Sequence, residues 1–393
     1  MKNRSKYILV DWHGPADYGR PFEELLINNR NEIDFYFYYD RRTGASRGTG
    51  KNTCHANCSH CFLKVAGAEE QFISIPEAIE VATDLRKEGY SNVDLIPSDS
   101  FGEEILKFGD DGSAQRIPGM GKVAWTSGVP LALSGWKEKL KRAWELGYRS
   151  LVINGHDIAG ISVPIEGITR APTLQKALLN MKEWNKTNPD EQFEWGFTFT
   201  LRSDTCNQAS MEKMAAWAVE NGVKVLRFNC FADFRGSNPE HKFLVPTRND
   251  IVMMHKTLAE LHVKYIDSPL HFSVSEDFGE AGTEAIEAYI APEYRGQQVG
   301  VCRAAFRLFA ITPINGTLRV VGCVDRMWPY LGTVEKSDGH WTIFWDLERI
   351  EQMRQARLNG SLYGCFGGVG RDRGNEEFNS EAGNQLLQKL TAE

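Results

Sequence analysis

Long apolar runs are missing from this chain of 393 residues. No stretch approaches the roughly 20 apolar residues that a membrane-spanning helix needs. The opening MKNRSKYILVDWHGPADYG turns polar after about six apolar positions, too few for the h-region of a signal peptide. A cytoplasmic protein without a membrane partner is therefore expected. A basic excess is missing too. Lys and Arg number 45 against 52 Asp and Glu, for a net charge of −7. Binding along a nucleic-acid backbone requires a basic face, so no nucleic-acid partner is expected, although a local basic pocket is left open. No internal repeat or low-complexity tract stands out. The composition that remains, 42% hydrophobic and 25% charged, is that of a globular chain. Its length suits one large domain and a smaller one.

Cysteine is scarce and unevenly placed. Of the 8 cysteines, Cys54, Cys58 and Cys61 are clustered, and Cys206 and Cys230 stand alone in mid-chain. Cys302, Cys323 and Cys365 are spread through the last quarter. In a reducing compartment such residues are more often ligands, catalysts or core groups than disulfides.

Residues 7–12 and 33–40 are rich in β-formers, and the second run leads into a polar loop, RRTGASRGTGKN, ahead of the first cysteines. Helices are expected at 76–88, opened by Pro76, and at 136–146, 173–185, 210–221 and 249–262. Strands are expected at 92–97, 129–133, 150–154, 194–201, 223–229 and 271–275. Such alternation implies parallel β/α units. A full or partial barrel carries its active site at the C-terminal ends of its strands. Residues 280–300 read as a junction, after which FRLFAITPINGTLRVVGC reads as a hairpin turning at Asn315-Gly316.

The spacing Cys54-x3-Cys58-x2-Cys61 sets three thiolates on one short loop. Three thiolates can wrap one face of a four-iron cubane and leave the fourth iron open to a small molecule. A zinc site needs a fourth ligand, and His55 and His60 are poorly placed to complete a tetrahedron beside their own neighbours. Three core thiols would be out of place in a polar Gly/Asn/His loop.

This spacing, after an early strand, resembles the radical S-adenosylmethionine (SAM) superfamily. The resemblance implies that Cys54, Cys58 and Cys61 hold a catalytic 4Fe–4S cluster whose open iron binds SAM. Cleavage of SAM then yields a 5′-deoxyadenosyl radical that abstracts a substrate hydrogen. His60 stands where the family usually has an aromatic residue, near the adenine. The family's Gly-Gly-Glu segment is replaced by Ile96-Pro97-Ser98-Asp99-Ser100-Phe101-Gly102-Glu103. Ser98 and Asp99 are the expected partners of the SAM ammonium. Arg202 and Ser203, at a later strand end, are expected near its carboxylate.

Cys302 and Cys323 flank the hairpin. Leu331-Gly332-Thr333-Val334, Trp345, an Arg-bearing helix (Arg349, Arg354, Arg357) and Cys365 follow in order. The order resembles the SPASM/twitch domain, which implies an auxiliary 4Fe–4S cluster on Cys302, Cys323 and Cys365. That domain's final Cys-x2-Cys pair here reads Leu362-Tyr363-Gly364-Cys365. One iron then lacks a cysteine of this triad, and Asp325, Cys230 or a substrate atom are its candidates. Cys230, ending the run VKVLRFNC, is otherwise expected to return a hydrogen atom to a substrate radical or to be a small buried hydrophobe. Cys206 is expected to be structural. Asn154, His156, Asp157, Arg227, Asn229, Asp233, Glu276 and Asp277 gather at strand ends, a density suited to a polyhydroxylated or zwitterionic substrate.

The expected architecture is α/β: an N-terminal extension over 1–30, a partial (β/α)6-type radical SAM barrel over 31–280 and a twitch/SPASM-like cluster domain over 281–393. The expected activity is hydrogen abstraction from a small-molecule natural-product intermediate, a sugar, aminocyclitol or nucleoside. It ends in epimerisation, dehydrogenation, elimination or sulfur insertion. An external one-electron reductant such as flavodoxin or ferredoxin is the expected partner. Two alternatives stand beside this one. The first is a SPASM-type maturase of a ribosomal peptide, although no leader-binding winged helix is recognisable ahead of the barrel. The second is a non-catalytic iron–sulfur electron-transfer protein.

Overall fold

The computed structural model describes residues 20–38, 73–90, 92–95, 99–101, 116–117, 121–155, 161, 171–231, 243–274, 305–322, 329–359, 361–362 and 380–391. Among them the strands are β1 (Asp34–Phe37), β2 (Asn92–Leu95), β3 (Arg116–Ile117), β4 (Gly121–Thr126), β5 (Ser150–Gly155), β6 (Glu194–Leu201), β7 (Val225–Cys230), β8 (His271–Val274), β9 (Leu308–Ile314), β10 (Thr317–Val321), β11 (Tyr330–Ser337) and β12 (His340–Trp345). The helices are α1 (Phe22–Asn28), α2 (Ile75–Lys87), α3 (Val129–Ala132), α4 (Trp136–Glu145), α5 (Ala171–Thr187), α6 (Gln208–Glu220), α7 (Arg248–Lys264), α8 (Leu347–Leu358) and α9 (Glu381–Thr391). No described helix is long and apolar enough to cross a membrane.

The strands form two six-stranded sheets, in the orders β12-β11-β10-β9-β1-β2 and β3-β4-β5-β6-β7-β8. From β4 to β8 every pairing is parallel. β1 also runs parallel to both β2 and β9, whereas β9 to β12 are antiparallel neighbours. The hairpin expected at Asn315-Gly316 is present. Both residues have positive φ, 49° and 77°, as the tight two-residue turn demands.

Local chemistry explains where the helices start. Ser74 caps α2, accepting from the Glu77 amide, with Pro76 in the first turn. Asn207 caps α6 in the same way. Thr247 and Asp250 form a reciprocal capping box on α7. One expected strand is corrected by the structure. Residues 129–133 do not extend; Val129–Ala132 turn into helix. Gly128 takes φ 78° just before them, and Pro130 sits in the first turn, where its missing N–H costs nothing. The strand of this unit is β4, a short run that lies just upstream.

Two main cores result. Helices α4 to α7 cover one face of the parallel sheet, and Leu151, Ile153, Phe197, Phe199, Leu226 and Phe228 pack beneath them. At Gly155 a Cβ would lie 2.7 Å from both Leu174 and Phe197, so only glycine lets α5 approach there. The second core joins Phe22, Phe35, Phe37 and Leu85 to Phe309, Leu331, Ile343 and Met353. Here β1, β2 and the segment before them share a core with the C-terminal hairpins.

Candidate active site

The two sheets are tied together at the C-terminal ends of β2 and β4. The Ser100 amide donates to the Trp125 carbonyl at 2.8 Å, and the Trp125 amide donates to Ser100 Oγ at 3.0 Å. Beside them Asp99 is 4% exposed. Its Oδ1 accepts from the Phe101 amide at 3.0 Å. Its Oδ2 accepts from Thr126 Oγ1 at 3.2 Å, the Ser127 amide at 2.9 Å and Ser127 Oγ at 2.7 Å. These donors satisfy a carboxylate that burial would otherwise penalise.

At the end of β6, Arg202 is fully buried and grips Asp204 with two parallel bonds, Nε to Oδ1 at 2.9 Å and Nη2 to Oδ2 at 2.6 Å. The geometry is that of a bidentate fork. The Ser203 hydroxyl donates to the Phe243 carbonyl. The Cys206 thiol is 3.2 Å from the Asp250 carbonyl and fastens the segment after β6 to the first turn of α7.

The face of the parallel sheet turned away from the helices differs in chemistry. Val123, Val152, Val225 and Trp125 form a small apolar patch near its base. The register sets Trp125 beside Val152, Val152 beside Gly196 and Gly196 beside Val225. The next row toward the C-terminal ends reads Asn154, Thr198, Arg227, and the row above pairs Thr200 with Asn229. An apolar floor thus lies under a polar wall, aimed at the end of the sheet where β/α folds place their chemistry.

No family model matches the sequence, and no curated protein matches it. Solved structures do match. A structure of anSMEcpe with bound AdoMet superposes with a TM-score of 0.52 at 11% identity, over 91% of this chain and 96% of that one. This is the fold of the SPASM-type radical SAM enzymes. A second structure of anSMEcpe, with bound AdoMet and the Cp18Cys peptide, gives a TM-score of 0.50 at 12% identity over the same shares. SuiB of Streptococcus suis bound to S-adenosylmethionine matches with a TM-score of 0.49 at 13% identity, over 83% of this chain. The chain spans 66% of the length of SuiB.

Within this radical SAM fold the expected site residues divide. Cys54, Cys58, Cys61, His60, Ser98, Cys302, Cys323 and Cys365 lie outside the described residues, as do His156, Asp157, Asp233, Glu276, Asp277 and Asp325. Among the described residues no His, Cys, Asp and Glu side chains converge as a metal-ligand set. Asp99 lies in the segment after β2, Arg202 and Ser203 directly follow β6, and their described bonds are to neighbouring protein groups. Cys230 ends β7 with its Sγ 3.8 Å from Met254 Sδ of α7. Its thiol shares the helix-covered core with Phe228, opposite the face that carries Arg227 and Asn229. Leu362 is 2% exposed and belongs to the second core. The strands β9 and β10 pair from Ile314–Thr317 to Ala310–Val321, so the segments bearing Cys302 and Cys323 both leave the same end of the hairpin. Sequence reasoning missed Thr126 and Ser127, the donors that hold Asp99, and also Trp125 and Thr198. All but Thr198 follow from missing β4.

Proposed function

We propose that this chain is a radical SAM enzyme of the SPASM type that acts on a peptide. The observation that carries the proposal is the likeness to anSMEcpe over 91% of this chain and 96% of that one, joined to the Cys54-x3-Cys58-x2-Cys61 triad. The peptide-bound anSMEcpe structure favours the maturase-like alternative over a sugar, aminocyclitol or nucleoside. The division into extension, barrel and cluster domain at residues 30 and 280 is kept within the proposal.

The donor set fits the two cofactors. Three thiols on the stretch after β1 suit a cubane with one open iron, and three more around the hairpin and after α8 suit an auxiliary cubane. When bound with SAM and reduced by one electron, the first cluster supplies a 5′-deoxyadenosyl radical. The chain's own residues do the positioning. Asp99 locks the segment after β2 to the end of β4, beside the expected SAM ammonium. The Arg202–Asp204 fork and Ser203 fix the turn after β6, beside the expected SAM carboxylate. The helix-free face below receives the substrate. Hydrogen return by Cys230, whose thiol lies against Met254 of α7, is kept within the proposal.

The test is formation of 5′-deoxyadenosine from SAM and a chemical reductant by the anaerobically reconstituted protein. About eight irons are expected as two cubanes. Replacing Cys54, Cys58 and Cys61 together with Ala should leave about half of that iron and abolish the product. Persistence of 5′-deoxyadenosine in the triple variant would sink the assignment.

A further inference from the structure

The helix-free face of the parallel sheet holds three buried polar atoms without hydrogen-bond partners: Trp125 Nε1, Thr198 Oγ1 and Arg227 Nε. They stand on neighbouring rows of one face. Thr198 is paired directly with Arg227, and the Arg227 guanidinium lies 5.1 Å from the centre of the Trp125 ring. β6 and β5 lie between the two residues, and the row of Trp125 holds Gly196, which adds no side chain to this face. Thr198 is 1% exposed. A buried hydroxyl, indole N–H and guanidinium N–H left unmade are each costly, and the uncompensated charge is the costliest. Buried polar groups in folded proteins are normally paired, so neighbouring groups on one face that are not paired call for a ligand. From the floor upward the described residues of this face on β5, β6 and β7 are Asn154, Thr198, Thr200, Arg227 and Asn229; none is acidic.

We infer that Arg227, Thr198 and Trp125 form a carboxylate-binding subsite for an acidic side chain of the substrate. All three groups can donate. The ligand must therefore accept from several directions and carry one negative charge, which a carboxylate does with two oxygens. A neutral carbonyl would leave the guanidinium uncompensated. The floor of Val152, Val225 and the Trp125 ring takes the methylene stem of a Glu side chain. The subsite lies one to two strand steps below the C-terminal ends, so an acid held there presents the neighbouring peptide atoms to the mouth of the sheet. The inference deepens the proposed function and rests on it for the peptidic nature of the substrate.

The test uses the full chain and two blocked tripeptides, acetyl-Ala-Glu-Ala-amide and acetyl-Ala-Gln-Ala-amide, in which the Glu side chain is the sole carboxylate. Equilibrium binding of both is measured beside binding of SAM. The wild type should prefer the Glu peptide by about tenfold or more, as a charge-assisted bond requires. Arg227→Gln should erase the preference and leave SAM affinity unchanged. Thr198→Val, which keeps the volume, and Trp125→Phe, which is smaller but keeps an aromatic ring, each remove one polar group and should lower Glu-peptide affinity about fivefold. They serve should Arg227→Gln fail to fold. Equal binding of the two peptides by the wild type overturns the inference. So does Arg227→Gln if it weakens SAM while the Glu preference persists, since the face would then hold the SAM carboxylate. Formation of 5′-deoxyadenosine is read separately, so loss of the radical SAM assignment and loss of this subsite give different results.

Discussion

A buried arginine and a half-buried one show how structure and function divide. Arg354 lies in the C-terminal part and is 1% exposed. Its Nη1 donates to the Phe306 carbonyl at 3.0 Å, its Nη2 donates to the Arg20 carbonyl, and its Nε lies 3.6 Å from Glu351. The rings of Phe306 and Phe22 flank it. Burial pushes its guanidinium down to about 10, still charged at neutral pH. Arg227 has one aromatic neighbour; its Nε, like that of Arg354, makes no hydrogen bond, but among the described residues no carboxylate stands against it. The first cation joins α8, the segment before α1 and the approach to β9 into one core. The second points onto a face against which no described helix packs. A cation held by two carbonyls and a carboxylate of its own chain is architecture. One held in place but left unanswered is set for something that arrives.

The comparison breaks first at Arg354. Arg354→Leu should cost about 4 kcal/mol, because two carbonyls lose their donor in a buried place. Urea unfolding measures it. A loss near zero would mean that water replaces the guanidinium and that this core is looser than it looks.

Asp99 is the next test, on the side of the candidate site. It resembles Arg354 in being held by several groups of its own chain, so Asp99→Ala should cost about 3 kcal/mol as the Thr126, Ser127 and Phe101 donors lose their acceptor. SAM affinity should fall with it, while iron content holds. A variant that loses SAM binding at unchanged stability would make Asp99 a ligand alone and not a lock between β2 and β4.

His255 sharpens the contrast with a group that is buried without charge. It lies in α7 at 3% exposure, and burial pushes its pKa from 6.5 to about 4. The unfolded chain therefore binds a proton that the folded chain refuses. Stability is fully present above pH 6.5 and declines as pH falls toward 4, by about 3 kcal/mol in all. His255→Leu should flatten that window. An unchanged pH profile would place the acid sensitivity in other groups.

Much of this was legible in the sequence because periodicity and punctuation agree. The alternation of strands and helices from 150 to 274 and the Asn315-Gly316 hairpin follow from runs whose polar and apolar spacing has one reading. β4 was not legible. GKVAWT is short, carries Lys122 and two small residues, and stands next to the more apolar VPLAL, which Gly128 and Pro130 turn into helix. With β4 missed, the cage of Asp99 was missed, and so was Trp125. Arg227 and Asn154 were picked out as strand-end polar groups. Thr198 was not, because a threonine inside an aromatic strand looks like ordinary β-propensity. Which face each occupies depends on register, and register is fixed by partners far away in the chain. Cys230 shows the same limit. The run VKVLRFNC marks it as a strand end, but only the pairing with β6 and the packing of Met254 put its thiol beneath a helix.

The smallest effect is expected where the two arginines differ most. Arg227→Gln should change stability by no more than about 0.5 kcal/mol, and in the stabilising direction if in either. The charge has no carboxylate to lose, and its attraction to the Trp125 ring contributes about 1 kcal/mol at a half-buried site. That gain is offset by removal of a partly desolvated charge. Glutamine keeps part of the stem over Val152 and Val225 and needs fewer partners. Urea midpoints of wild type, Arg227→Gln and Arg354→Leu, measured together, place the two cations on one scale. If Arg227→Gln costs as much as Arg354→Leu, then Arg227 is a structural plug in the face of the sheet. If it costs nothing alone but the wild type gains stability in the presence of the Glu peptide and the variant does not, the stabilisation that Arg227 lacks from its own chain comes from its ligand.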